Sequence, residues 1–114
     1  MKISVKQGDI SKFKVDVVVV NLFDGVKAPG GATGAVDKAL GGQLSEIIKD
    51  GEFKGKLAET IMFQPRKDFP AKRVLVVGLG EASKFTIDSV RQASSKAAKT
   101  IRGAGFKTFA TIIH

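Results

Sequence analysis

The sequence predicts an α/β fold in which a mixed, mostly parallel β-sheet lies between two layers of helices. Two apolar runs, residues 15–22 and 74–78, do not alternate polar with apolar positions, and strands covered on both faces by helices are typical of parallel sheets. A helical segment separates the second run from a further apolar stretch at residues 108–113. Strand, helix and strand joined by short turns form a βαβ unit, whose crossover we expect to be right-handed.

The first half of the chain is predicted to hold an edge strand, a central strand and an interrupted helix. Residues 3–5 alternate apolar with polar positions, whereas the valine-rich residues 15–22 are the best partner for the second apolar run in the middle of the sheet. A glycine-rich segment at residues 28–34 then leads into a helix that two glycines interrupt. A charged hairpin or loop over residues 50–56 ends this half.

The second half is predicted to hold two strands, a long helix and a last strand. Residues 59–63 form a strand that Pro65 stops, and glycines break the central strand after residue 77. Thr86 is a suitable N-cap for the long helix and Gly103 a suitable stop. At 100° per residue, one stripe about 100° wide should face the core. Its members are Ile87, Val90, Ser94, Ala97, Ala98 and Ile101.

Composition limits the class of protein. A chain of 114 residues favours a single domain, and the absence of cysteine excludes disulfides and thiolate chemistry. No apolar run approaches the roughly 18 residues of a membrane span, and the N-terminus lacks the features of a signal peptide. We therefore expect a cytoplasmic protein with no membrane partner.

The net charge of +8 is distributed unevenly along the sequence. Residues 1–57 carry nine basic against seven acidic side chains, whereas residues 58–114 carry ten against four. A basic half invites a DNA-binding interpretation. A lysine-rich solvated surface is the alternative, because no recognised nucleic-acid motif accompanies the charge and phenylalanine alone would have to stack on bases.

The residues offer no catalytic or metal site. A two-metal centre needs several carboxylates that converge on one point, but the acids Asp9, Asp16, Asp24 and Asp37 are scattered singly among lysines. The only histidine is His114, at the end of the sequence, which also leaves a Ser-His-Asp arrangement without its base. We expect no catalytic residue, no metal ligand and no cofactor.

A glycine-rich loop is the sharpest candidate for ligand binding. Such a loop between a strand and a helix can direct several backbone N–H groups at an anion. A tight structural turn is the alternative, since glycines also serve there. The candidate anion-binding residues are Gly30, Gly31, Ala32, Thr33 and Gly34. A second glycine pair, Gly78 and Gly80, matches only half of a dinucleotide fingerprint, so we discount it.

Four groups of motifs, in order, together resemble the N-terminal domain of the leucyl aminopeptidases of peptidase family M17. They are residues 16–22 with 24–25, residues 31–40, residues 51–56 with 59–60, and residues 72–80 with 85–86 and 91–93. The resemblance implies a macro-domain-like fold and one non-catalytic domain over residues 1–114. It implies a parent hydrolase that uses two divalent metals, zinc or manganese, bound in a C-terminal domain.

The resemblance also implies partners. The N-terminal domain of the family is associated with oligomer assembly and with access to the active site, and some bacterial members bind DNA. True macro domains bind ADP-ribose through a glycine-rich loop in a similar place, which leaves a ligand-binding module as an alternative function. The apolar residues 112–113 close to the end of the sequence lead us to expect a domain excised from a longer polypeptide.

Overall fold

The computed structural model describes residues 14–66 and 69–111, which form four strands and three α-helices. The strands are β1 (Val17–Leu22), β2 (Thr60–Phe63), β3 (Arg73–Gly78) and β4 (Phe109–Thr111). The helices are α1 (Gly31–Ala39), α2 (Gln43–Lys49) and α3 (Ile87–Gly103), and a short 3-10 turn, Ala82–Lys84, precedes α3. The edge strand predicted at residues 3–5 lies outside the described residues.

The four strands form one mixed sheet in the order β2-β3-β1-β4. β1 pairs in parallel with β3, with Val17 opposite Arg73, and in parallel with β4, with Val17 opposite Phe109. β2 runs antiparallel to β3. The predicted pairing of the two long apolar runs at the centre of the sheet is confirmed. The helix α3 carries the chain past β1, because β3 and β4 lie on opposite sides of that strand.

Both faces of the central strands are buried, which explains why their sequences do not alternate. Val18 and Val20 of β1 pack with α1 and α2, whereas Val17 and Val19 pack with α3. Helices therefore cover the sheet on both sides, and the predicted three-layer architecture is confirmed. Within the described residues, no helix combines the length and apolar character that crossing a membrane requires.

The predicted core stripe of α3 is partly wrong. Thr86 caps the helix as expected, since Ser89 N donates to its side-chain oxygen over 3.3 Å. However, Ile87 is 74% exposed and Val90 43% exposed. The buried face is a row of residues in which each lies about one helical turn from the next. Its members are Ser89, Ala93, Ala97 and Ile101. Three small side chains in this row let α3 lie close against β3, so the helix is rotated by about 70° from the predicted orientation.

Candidate functional site

The glycine-rich loop connects the carboxyl end of β1 to α1 through a tight turn. Gly30 is the N-cap and provides no side-chain cap, and Gly31 has φ +57°, a left-handed conformation that favours glycine. Gly34 N donates to Gly30 O over 2.9 Å. A Cβ on Gly34 would lie 2.7 Å from Pro29 O, so the turn itself requires glycine at two positions.

Thr33 has a structural role within this loop. Its side chain is 4% exposed, and its Oγ1 donates to Asn21 O in β1 over 3.1 Å. Gly30, Gly31 and Ala32 are exposed and can offer an anion only backbone N–H groups at the start of α1. The structure brings the five candidate residues together in one turn, and their binding of an anion stays a prediction.

Three loops meet at the carboxyl edge of the sheet beside this turn. Leu79 N donates to Leu22 O over 2.9 Å, and Asp24 N donates to Gly80 O over 2.8 Å. These bonds join the segments that follow β3 and β1. Gly80 N in turn donates to Gly55 O over 2.9 Å, which adds the loop before β2. Ligands of open parallel sheets bind at such an edge, and here backbone hydrogen bonds join the three loops across it.

The close approach of these loops depends on glycine. A Cβ on Gly78, at the end of β3, would lie 1.9 Å from Lys56 O, and one on Gly55 would lie 2.5 Å from Phe23 O. Gly55 also has φ +93°. The motif at residues 78–80, which half-matches a dinucleotide fingerprint, is therefore accounted for by chain packing.

Asp37 is a buried carboxylate that caps α2. It is 8% exposed, and its Oδ1 accepts from Leu44 N over 2.9 Å and from Ser45 N over 3.1 Å. The Ser45 hydroxyl donates to its other oxygen. The nominal N-cap of α2, Gly42, is left-handed at φ +83° and has no side chain to perform this role. The carboxylate thus joins α1 to α2 across the double-glycine break.

Glu59 holds the loop before β2. Its Oε1 accepts from Gly55 N and Lys56 N, each over 3.0 Å, and from Lys54 N over 3.2 Å. Three successive N–H groups of this kind form an anion-binding concavity, which the chain fills with its own carboxylate. The sequence alone does not reveal this role, because only folding brings the Glu59 carboxylate onto the three amides.

Asp16 ties the start of β1 to the segment that leads into β4. Its Oδ2 accepts from Lys107 N over 3.0 Å and Thr108 N over 3.3 Å, and Lys72 Nζ lies 3.4 Å from Oδ1. The Lys107 hydrogen bond is the largest cause that holds the pKa of Asp16 below its ordinary value of 3.8. Burial opposes this shift, while Thr108 and the Lys72 ammonium reinforce it.

Within residues 14–66 and 69–111, no three histidine, cysteine, aspartate or glutamate side chains are grouped so that they could hold a metal ion. Asp9 and His114 lie outside the described residues. Asp24 is exposed, whereas Asp16 and Asp37 accept the backbone hydrogen bonds given above.

A family model matches most of the chain. The model described as the cytosol aminopeptidase family, N-terminal domain, matches residues 19–114. A probable cytosol aminopeptidase from Alkaliphilus metalliredigens is 32% identical over 110 residues, which are 96% of this chain and 22% of that protein. One from Azoarcus sp. is 34% identical over 114 residues, 99% of this chain and 22% of that protein. The chain thus spans about a fifth of the length of these curated relatives.

Solved structures share the fold. A mutant of tomato leucine aminopeptidase superposes with a TM-score of 0.71 at 19% identity, covering 93% of this chain and 21% of that one. A Trypanosoma brucei macrodomain gives 0.73 at 18% identity, covering 91% of this chain and 42% of that one. The macrodomain of Mycobacterium tuberculosis DarG gives 0.71 at 12% identity, covering 93% and 72%. The predicted macro-domain-like fold is confirmed.

Proposed function

Because the chain belongs to the cytosol aminopeptidase family and matches its N-terminal domain, we propose that it is the non-catalytic domain of a cytoplasmic leucyl aminopeptidase. The observation that carries the proposal is the match over residues 19–114, supported by relatives named aminopeptidases at 32% and 34% identity. In the proposed parent, a C-terminal domain binds two zinc or manganese ions and cleaves the peptide. The 114-residue N-terminal domain supports oligomer assembly and shapes access to the active site.

The chemistry of the acids supports a non-catalytic role. Hydrolysis by two metals requires carboxylates free to converge on the ions, but Asp16, Asp37 and Glu59 each accept at least two backbone hydrogen bonds within the fold. The whole sequence contains no cysteine and one histidine. The side chains that two-metal hydrolysis needs would therefore come from the rest of the parent polypeptide.

Turnover of leucine p-nitroanilide tests this proposal. The purified 114-residue chain should release no nitroaniline with added zinc or manganese, whereas a longer native polypeptide that carries the same segment should release it. Metal-dependent turnover by the 114-residue chain would contradict the non-catalytic assignment. Absence of turnover in the longer polypeptide would contradict the aminopeptidase assignment.

Binding of ADP-ribose is the competing function, and the exposed backbone of Gly30, Gly31 and Ala32 at the start of α1 favours it. Calorimetric titration of the 114-residue chain with ADP-ribose separates the two functions. We expect no binding in the micromolar range, because the neighbouring sheet edge is spanned by hydrogen-bonded loops. Micromolar or tighter binding of ADP-ribose would replace the assembly role with a ligand-binding role.

A further inference from the structure

A small cavity opens at the amino edge of the sheet, at the end of the strands opposite to the glycine-rich loop. Its volume is about 340 Å³, at the lower end of the roughly 300–1,000 Å³ that is usual for small-molecule sites. It is lined by the segment that follows β2, the segment that leads into β3 and the segment that precedes β4. Two phenylalanines and two basic residues are among its lining residues: Phe69, Phe106, Lys72 and Arg73.

The two phenylalanines provide the apolar part of the cavity. Both are half-buried. Phe69 packs against the core on the α1–α2 side of the sheet, and Phe106 packs against the core on the α3 side. Because each ring is anchored in a core and still lines the cavity, a ligand would lose little free energy in ordering these side chains. An apolar group that enters the cavity would bury surface of the rings.

Arg73 provides a positive charge beside the rings. Its NH1 group donates to Lys72 O over 2.7 Å, and its guanidinium carbon lies 5.6 Å from the centre of the Phe106 ring. These contacts orient the guanidinium group and leave most of its five N–H donors for other acceptors. Within residues 14–66 and 69–111, no acidic side chain forms an ion pair with Arg73. A carboxylate from outside the domain can therefore bind it through two parallel hydrogen bonds.

The neighbouring Lys72 limits the charge of the ligand. Its ammonium lies 3.4 Å from Asp16 Oδ1, so one of the two basic side chains that line the cavity is already paired with a carboxylate of the fold. A doubly charged phosphate would bring more negative charge into the cavity than Arg73 balances, and uncompensated charge is costly to bury. A monoanion matches the remaining charge, and the planar carboxylate matches the fork of arginine.

Backbone hydrogen bonds hold two walls of the cavity in place. The N–H groups of Lys72 and Arg73 both donate to Asp16 O, over 2.9 Å and 3.0 Å. On the segment that follows β2, Gln64 O accepts from the Gln43 side chain over 3.1 Å. The cavity is therefore formed by the folded chain before any ligand arrives, which lowers the cost of binding.

We propose that this cavity binds a small monocarboxylate that carries an aromatic or branched apolar group. Its carboxylate pairs with Arg73, and its apolar group packs against Phe69 and Phe106. The proposal is independent of the activity of the parent polypeptide, because it rests on contacts within this domain. It is also distinct from anion binding at the glycine-rich loop, which lies at the other end of the strands.

Titration of the isotope-labelled 114-residue chain, followed by amide NMR, tests the proposal with 3-phenylpropionate as the probe. We expect saturable shifts with a dissociation constant of about 1 mM, which is usual for so small a ligand. The shifted amides should lie in residues 64–66, 69–73 and 106–107. Two matched probes are 3-phenylpropylamine, which reverses the charge, and propionate, which lacks the ring. Each should bind at least about 10-fold more weakly.

Three results would each overturn the proposal. They are the absence of saturation below about 20 mM, equal affinities for the three probes, and shifts confined to the start of α1. The last result would assign carboxylate binding to the glycine-rich loop.

Two substitutions separate the charge from the ring. Arg73→Gln should weaken 3-phenylpropionate binding at least about 10-fold, whereas Arg91→Gln, at an exposed position of α3, should leave it unchanged. Phe106→Leu retains the charge and should reduce the preference for 3-phenylpropionate over propionate by about 5-fold. Equal effects of the two arginine variants, or an unchanged preference in Phe106→Leu, would contradict the assignment. Because Phe106→Leu retains Arg73, it decides the question even if Arg73→Gln does not fold.

Discussion

Replacement of Asp37 tests whether one buried carboxylate holds α2 on α1. The carboxylate accepts from two backbone N–H groups and from the Ser45 hydroxyl. Asp37→Ala leaves the N–H groups of Leu44 and Ser45 without their acceptor in a place that water hardly reaches. Asp37→Asn keeps an acceptor oxygen for both, and its amide can donate to the hydroxyl. The two variants should therefore differ in stability.

The expected cost follows from the lost bonds. A hydrogen bond to a charged group contributes about 1.5–3 kcal/mol, and the loss of a helix cap costs about 1 kcal/mol. Because the two amides share one acceptor, we expect Asp37→Ala to lower the free energy of unfolding by about 3 kcal/mol. Asp37→Asn should lower it by about 1 kcal/mol, since only the charge is lost. Both variants should remain folded in water.

Urea denaturation of the 114-residue chain, followed by far-UV circular dichroism, measures both costs. With an m value of about 1.5 kcal/mol/M, the midpoint should fall by about 2 M for Asp37→Ala and by less than about 1 M for Asp37→Asn. Asp50→Ala removes an exposed acid at the other end of α2 and should shift stability by less than about 0.5 kcal/mol. Equal midpoints for the alanine and asparagine variants, or no loss with alanine, would refute the capping role.

Other substitutions test the remaining contacts by thermal or urea unfolding. Gly78→Ala should cost about 2 kcal/mol or more, because its Cβ would lie 1.9 Å from Lys56 O. Gly103→Ala, where nothing lies within 4 Å of the new Cβ, should be neutral or stabilising by up to about 1 kcal/mol; equal losses would contradict the packing of β3. Thr33→Val should cost about 1 kcal/mol through the lost hydrogen bond to β1, and an unchanged midpoint would remove its structural role. The pKa of Asp16 is lowered in the folded state, so its contribution is present above the ordinary value of 3.8 and is lost as pH falls through the lower folded value. Asp16→Asn should therefore give a flatter plot of urea midpoint against pH in this acidic range, and parallel plots would contradict the assignment.

The centre of the sheet could be predicted from sequence because its two long strands, β1 and β3, are rich in apolar residues that do not alternate with polar ones. Apolar runs such as residues 15–22 and 74–78, when helices follow them, fit few positions other than the centre of a sheet. The structure accordingly pairs β1 with β3 in register along six residues. The strand order could not be predicted in the same way, because the placement of β4 beside β1 depends on where α3 crosses.

The orientation of α3 could not be read from its apolar residues alone. An angular stripe gives equal weight to Ile87, Val90 and the alanines. The face that packs on the sheet, however, is the one that permits the closest approach. Ser89, Ala93 and Ala97 form that face because their side chains are small. The larger side chains Ile87 and Val90, which the stripe places in the core, are 74% and 43% exposed.

The roles of the acids were likewise hidden in the sequence. Asp37 and Glu59 look like single surface charges, yet each accepts backbone N–H groups that folding leaves without a partner. A glycine pair after Asp37 was the available signal, because a left-handed Gly42 cannot cap the following helix with its own side chain. No comparable signal precedes Glu59.

The carboxyl edge of the sheet and the face that α3 covers differ in a way that bears on function. At the carboxyl edge, the anion-binding concavity of residues 54–56 is filled by Glu59, and hydrogen-bonded loops join the strands. On the α3 face, apolar side chains remain open to solvent beside β4. Burial of apolar surface provides free energy in proportion to the area buried, about 25 cal/mol per Å². The apolar surface that remains available for burial is thus concentrated on the α3 face and not at the carboxyl edge, where backbone groups already pair with one another.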